Sequence, residues 1–256
     1  MERDSKIEIF RLHMSKSQLE AVPSEERALL LLASYAINQI TVLRRLLIFS
    51  MNFESKHEVE NILSAAQTQM ILRFMLASMA EAWEMIRRPN IQRLLLEING
   101  DVEADGKEAH RLLKRHFGNN NVLHRLRNSV AYHYPDFAAL EKAFSEVPDD
   151  EDWAWYVSHA VTNGYYYLSD LVISSHILEV MGERNPELAF GKLMNEVVPV
   201  AENLLDFLAY VMRAIVTRHF GAEMLSPMPG TGIAISGVPN LNDVSIPFFT
   251  IRDQDI

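Results

Sequence analysis

Glycine and proline are scarce in this chain, and that scarcity limits what it can fold into. Only 10 of each punctuate 256 residues, and the long stretches between them repeat their apolar residues every three or four positions. A period near 3.6 belongs to a helix with one buried face. Pro23-Ser24-Glu25-Glu26 opens the first strong helix, with Ser24 as its cap and two glutamates complementing the positive end of the helix dipole. That helix is expected to reach about Met51 and to bury Leu29, Leu32, Ala36, Ile40, Leu43 and Leu47.

Ser55-Lys56-His57-Glu58 reads as a capping box that starts a second helix, which carries Ile62, Met70, Phe74 and Met85 and stops before Pro89. Further helices are expected over about 91–98, 107–117, 122–134, 137–144, 165–181 and 186–220, the last kinked at Pro199. From Gly221 onward the composition changes. Pro227, Pro229, Gly230, Gly232, Gly237, Pro239 and Pro247 mark an irregular arm with a short strand. The reading is an all-α helical bundle over residues 1–220 with an irregular C-terminal arm over 221–256.

Composition narrows the function. With 48% hydrophobic and 23% charged residues the balance is that of a globular chain, not a disordered one. The absence of cysteine rules out disulfides and thiolate metal sites and is compatible with a cytoplasmic protein. The first residues are mixed in charge and do not read as a secretory signal. The most apolar stretch, residues 28–43, is interrupted by Asn38 and Gln39 and followed by Arg44-Arg45, so it reads as a buried helix with no membrane role. A net charge of −10 opposes bulk attraction to nucleic acid, and any such binding needs a local basic patch.

Such a patch exists. Lys107, Arg111, Lys114, Arg115, Arg125 and Arg127 fall close together with only Glu108 against them, whereas the following stretch to Asp152 is strongly acidic. These are candidate RNA-binding residues, and a solvated helix face paired with the acidic linker is the competing reading. At the end of the patch stands Leu126-Arg127-Asn128-Ser129-Val130-Ala131-Tyr132-His133-Tyr134-Pro135. Arg127 keeps its charge and can fork onto phosphate oxygens, while His133 exchanges a proton near neutral pH. Asn128 can orient a ribose, a phosphate or the histidine. Together they suit attack of an RNA 2′-hydroxyl on the adjacent phosphorus without a metal. Six residues of regular helix advance about 600°, which leaves Arg127 and His133 about 120° apart around the axis. Either the helix is distorted there or a second copy of the chain completes the site.

The segment from Arg127-Asn128 to His133 resembles the signature of the HEPN superfamily (higher eukaryotes and prokaryotes nucleotide-binding): an arginine, commonly followed by a polar residue, and a histidine after a short gap. The match covers about residues 24–135. It implies a dimerising α-helical bundle whose paired motifs form a composite cleft, acting as a metal-independent endoribonuclease in defence or toxin–antitoxin systems. Carried over, Arg127 and His133 are catalytic and Asn128 supports them. The implied partners are a second copy, RNA and an antitoxin or other protein, and no cofactor is implied. Arginine-to-histidine spacing also occurs at Arg111…His116 and Arg213…His219, but Asn128, the aromatic neighbours of His133 and the basic approach set Arg127 apart. Where some relatives carry a modifiable tyrosine two residues after the histidine, this chain has Pro135.

Other signals point to packing. Glu54…His57 is a single Glu-x-x-His, and a di-metal bundle needs two such pairs with further glutamates. Pro229-Gly230-Thr231-Gly232 lacks the lysine of a phosphate loop and reads as a turn. Trp153, Trp155 and Tyr165-Tyr166-Tyr167 are expected to be core anchors.

Overall fold

Helices form the molecule, described here from a computed structural model that covers residues 6–118, 122–126, 136–151, 153–157, 163–226 and 232–250; the part of the expected 122–134 helix beyond Leu126 lies outside the described residues. A short strand β1 (Ile7–Phe10) and helix α1 (Lys16–Ala21) precede the long helices α2 (Ser24–Met51) and α3 (Glu58–Arg87). Then follow α4 (Pro89–Glu97), α5 (Ala104–Phe117), α6 (Val122–Leu126), α7 (Phe137–Glu146), α8 (Tyr167–Met181), α9 (Pro186–Phe220) and a last strand β2 (Gly232–Ile235). The fold is all-α apart from an antiparallel two-stranded ribbon, with Ile7 paired to Ile235 and Phe10 to Gly232. Among the described residues no helix is long and apolar enough to cross a membrane.

Local chemistry differs from expectation at several helix starts. The Pro23 carbonyl accepts the first helical bond from Arg27 N–H (2.9 Å), so Ser24 lies inside α2 and does not cap it. Leu32 turns outward, and Ala33 is buried on the face assigned to it. At α3 the capping box is replaced by a clamp. Ser55 Oγ accepts from His57 N–H (3.1 Å) and bonds Glu60, while the Asn61 amide holds both the N–H and the carbonyl of Ser55. Pro199 sits inside α9, where it removes one helical donor, and Asn203 Nδ2 donates to its carbonyl (2.7 Å).

The chain divides into two units, and α2, α3 and α9 contribute to both. The first comprises Met1–Thr41, Ser78–Asn119 and Pro199–Asn240. Its buried side chains include Leu29, Ile40, Met79, Ile86, Leu113 and Leu208. Gly106 on α5 lies against α9, and a Cβ there would stand 2.5 Å from Tyr210 Cβ. Glu26, in the first turn of α2, is buried and accepts from Arg218 Nη1 (3.2 Å), with His219 Nε2 2.7 Å from its other oxygen. Arg218 also donates to Asp101 through Nε (2.6 Å) and to the Glu97 carbonyl through Nη2 (3.1 Å). One carboxylate thereby fastens the start of α2 to the end of α9.

The second unit comprises Val42–Ala77, Asn120–Val198 and Leu241–Ile256. Ala143, Val147 and Val172 form a small core where α7 meets α8, and Trp153 and Leu171 pack on it. Leu123 and Leu126 are buried, with α6 lying on α8. The end of the arm is held by side-chain amides: Asn52 Nδ2 donates to the carbonyls of Leu241 and Val244 (both 3.0 Å), and Asn163 pairs with the backbone of Thr250.

Removing the carboxylate of Glu26 leaves Arg218 and His219 facing a buried gap. Glu26→Ala is expected to lower the unfolding free energy by about 3 kcal/mol, measured by urea denaturation. A loss below about 1 kcal/mol would mean that water replaces the carboxylate without penalty.

Candidate functional site

Four of the residues expected to bind RNA lie on α5. Its apolar positions Gly106, Ala109 and Leu113 are buried, which turns Lys107, Arg111, Lys114 and Arg115 into one exposed stripe at spacings of three and four. Lys114, Arg115 and His116 occupy the last turn, where cations complement the negative end of the helix dipole. Arg111 donates to Glu108 through Nε (2.7 Å) and Nη2 (2.6 Å), and both partners are exposed. This fork is the geometry a phosphate accepts, so a phosphate can take the place of the carboxylate. Arg125 is exposed on α6 between the buried Leu123 and Leu126. It belongs to the second unit, whereas the α5 stripe belongs to the first. Arg127, Asn128 and His133 lie outside the described residues, and so does the Pro229-Gly230-Thr231 turn.

The structure gives both competing arginine–histidine spacings other roles. Arg213 pairs with Glu103 (3.0 Å), and His219 bonds Glu26. Arg111 is held by Glu108, and His116 sits edge-on to Phe117 at 4.9 Å. His110, also inside the basic run, faces inward. Its ring stacks on Phe207 at 4.2 Å and lies edge-on to Trp83. Burial, with the nearby Lys114 charge, pushes His110 down to about 4, so it is neutral at physiological pH. Its Nε2 has no hydrogen-bond partner among the described residues.

A feature the sequence reading missed lies in the second unit. A half-open cavity of about 1070 Å³ is lined by α3, α6, the end of α7, α8 and α9. Most of the lining is apolar, including Ile62, Leu72, Leu178, Met181 and Phe190, with Leu126 in its wall. Arg73 Nη2 donates to Asp170 Oδ1 (3.0 Å), with both side chains only 14% exposed. Tyr165 donates its hydroxyl to the other oxygen of Asp170. Burial, helped by that bond, holds the Tyr165 phenol above its ordinary value and therefore protonated. Ser174 Oγ donates to Gln69 Oε1 (2.8 Å) beside them. Gly182, at the lower end of α8, adopts the left-handed conformation (φ 64°) that ends the helix, and it too lines the cavity. The available signal was Arg73 itself, a cation set among Leu72, Phe74 and Met75. Its partner is 97 positions away, beyond any local pattern.

The aromatic expectation holds in part. Trp153 packs on the α7–α8 core, but Trp155 and Tyr166 are each 63% exposed and stack edge-to-face at 5.5 Å. The reason is the antiparallel bridge between Tyr156 and Tyr165. Extended segments alternate sides, so turning those two tyrosines inward turns their neighbours out.

No group of His, Asp and Glu suited to holding a metal ion occurs among the described residues. No family model, no curated protein and no solved structure matches the chain.

His110 gives the protein a specific acid sensitivity. Unfolded, its imidazole titrates near 6.5; folded, it titrates at about 4. Between these values only the unfolded chain holds the proton, so the stabilisation is complete above pH 6.5 and is lost as pH falls toward 4. After allowance for partial exposure the loss is on the order of 2 kcal/mol. His110→Phe keeps the stack on Phe207 without the titration, and its urea midpoint is expected to fall less than that of wild type between pH 7 and about 4.5. Parallel pH profiles for the two proteins would remove His110 as the cause.

Proposed function

We propose that this chain is a metal-independent endoribonuclease of the HEPN type, acting as a homodimer in the cytoplasm in a defence or toxin–antitoxin setting. The observation that carries the proposal is the cationic stripe on α5, exposed along one helix face in an otherwise acidic protein and followed in the chain by α6 and the Arg127-Asn128…His133 segment. Lys107, Arg111, Lys114, Arg115 and Arg125 guide the RNA backbone by charge. His133 takes the proton of a ribose 2′-hydroxyl, whose oxygen attacks the neighbouring phosphorus. Arg127 stabilises the charge that builds on the phosphoryl oxygens. The 5′-oxygen leaves with the proton that His133 returns, producing a 2′,3′-cyclic phosphate and a 5′-hydroxyl. Asn128 orients the reacting groups. A second chain, contributing its own copy of the motif, completes the composite cleft that the HEPN resemblance implies.

A second reading, a non-catalytic helical module that binds a protein partner or a nucleotide, is favoured by the net charge of −10.

Cleavage of mixed cellular RNA in EDTA separates the two. Wild type is expected to cut, leaving cyclic phosphate ends, and His133→Ala to lose activity by at least about 10²-fold while remaining folded. Cutting retained in that variant would sink the assignment, and a folded dimeric wild type that never cuts RNA points to the module. The role of α5 has its own test. In the double variant Lys107→Glu, Lys114→Glu, the slope of log affinity against log salt for single-stranded RNA is expected to be shallower by about 1.4. An unchanged slope places the RNA elsewhere.

A further inference from the structure

The cavity in the second unit has a chemistry of its own, independent of the ribonuclease reading. Its volume of about 1070 Å³ is at the upper end of small-molecule sites, and its apolar walls with a few convergent polar groups match their usual make-up. Its polar centre is not closed. Asp170 is occupied on both oxygens, by Arg73 and Tyr165, but Arg73 uses only Nη2, and neither Nε nor Nη1 has a partner among the described residues. A guanidinium that is 14% exposed and lines a cavity thus keeps donors available to an occupant.

Charge selects the kind of acceptor. Arg73 is already neutralised by Asp170, and the remaining charged lining is Glu146, Glu151, Glu179 and Glu183 against Arg184. Lys142 and Lys192 pair with Glu179 and Glu183 from outside the lining and hold those two carboxyls below their usual range. With Glu179 and Glu183 paired, Glu146 and Glu151 still outnumber Arg184, so an anionic head group at Arg73 would meet no net positive charge and would have to leave water for an apolar space, which is costly. A neutral carbonyl oxygen meets the same donors without that penalty.

We propose that this cavity binds an uncharged, largely apolar small molecule carrying a carbonyl-type acceptor, with the apolar body against Leu72, Leu178, Met181 and Phe190 and the acceptor on Arg73. A polyanion such as RNA is excluded from it on the same charge argument.

The test is displacement of Nile red, itself a neutral carbonyl-bearing dye, from the full-length protein. The dye is expected to bind saturably at one site, and decanamide is expected to displace it at a concentration at least about tenfold below that needed for decanoate at pH 7.5. Arg73→Lys keeps the charge beside Asp170 but not the forked donors, and is expected to weaken decanamide and the dye alike by about tenfold. Leu178→Trp narrows the apolar part of the cavity and is expected to weaken dye binding. Ala65→Trp narrows it from an exposed lining position, so folding survives there even if the first variant unfolds. The proposal is overturned if the wild type does not bind the dye saturably, or if decanoate competes as well as decanamide. It is also overturned if Arg73→Lys leaves decanamide affinity unchanged, or if Ala65→Trp, folded by circular dichroism, binds dye like wild type.

Discussion

A helix of 28 to 35 residues with an apolar stripe has to bury that stripe, and this requirement organises the molecule. Local propensity supports such a helix only weakly in water, so α2, α3 and α9 depend on tertiary burial for most of their stability. Their buried positions mix large side chains such as Leu29, Ile40, Leu76 and Leu208 with alanines such as Ala33, Ala77, Ala80 and Ala201. Small residues let backbones approach, and large ones fill the space between. The contact of Gly106 with Tyr210 shows this on α5 and α9, where the absence of a side chain lets Tyr210 approach the α5 backbone.

Apolar stripes give cohesion but poor register, since one leucine fits a groove about as well as the next. In each unit, register is supplied by polar pairs that tolerate no slippage. In the first, Glu26 binds Arg218 and His219, and Arg218 reaches Asp101 and the Glu97 carbonyl. In the second, Arg73 binds Asp170, which also accepts from Tyr165. Both carboxylates sit in low-dielectric surroundings where a missing partner is expensive, so a shift of one helical position is penalised strongly. The Glu26 cluster is saturated, whereas the Arg73 cluster retains open donors beside a cavity. That difference separates a structural lock from a candidate ligand site.

The basic stripe and the acidic remainder of the chain coexist because salt shortens electrostatic reach to about 8 Å. A phosphate at α5 meets Lys107, Arg111 and Lys114 at close quarters, while the net charge of −10 is spread over the whole chain and largely screened. The exposed Trp155–Tyr166 pair, with Tyr156 and Tyr165 turned inward beside it, adds an aromatic surface in the second unit.

Helix identity was readable from residue order because a 3.6-residue period and the scarcity of glycine and proline are local properties; Ser24–Met51 and Pro186–Phe220 are bounded as their patterns indicate. The α5 stripe was also readable, since residues three and four apart share a face in any helix. Finer choices were not. Ala33 takes the buried face in place of Leu32, the inward turn of His110 depends on Phe207 far away in sequence, and the outward turn of Trp155 follows from the bridge of Tyr156 to Tyr165. The pairing of β1 with β2, which joins positions 7 and 235, carries no local signal either. The amino-acid order alone thus determined an all-α chain with a cationic helix face and an arginine–histidine segment, because periodicity and charge are set within a few residues. Only the tertiary structure decided which carboxylate meets which cation, and that Arg73 and Asp170 stand together at a cavity, because burial and pairing are settled between helices that the sequence places about a hundred residues apart.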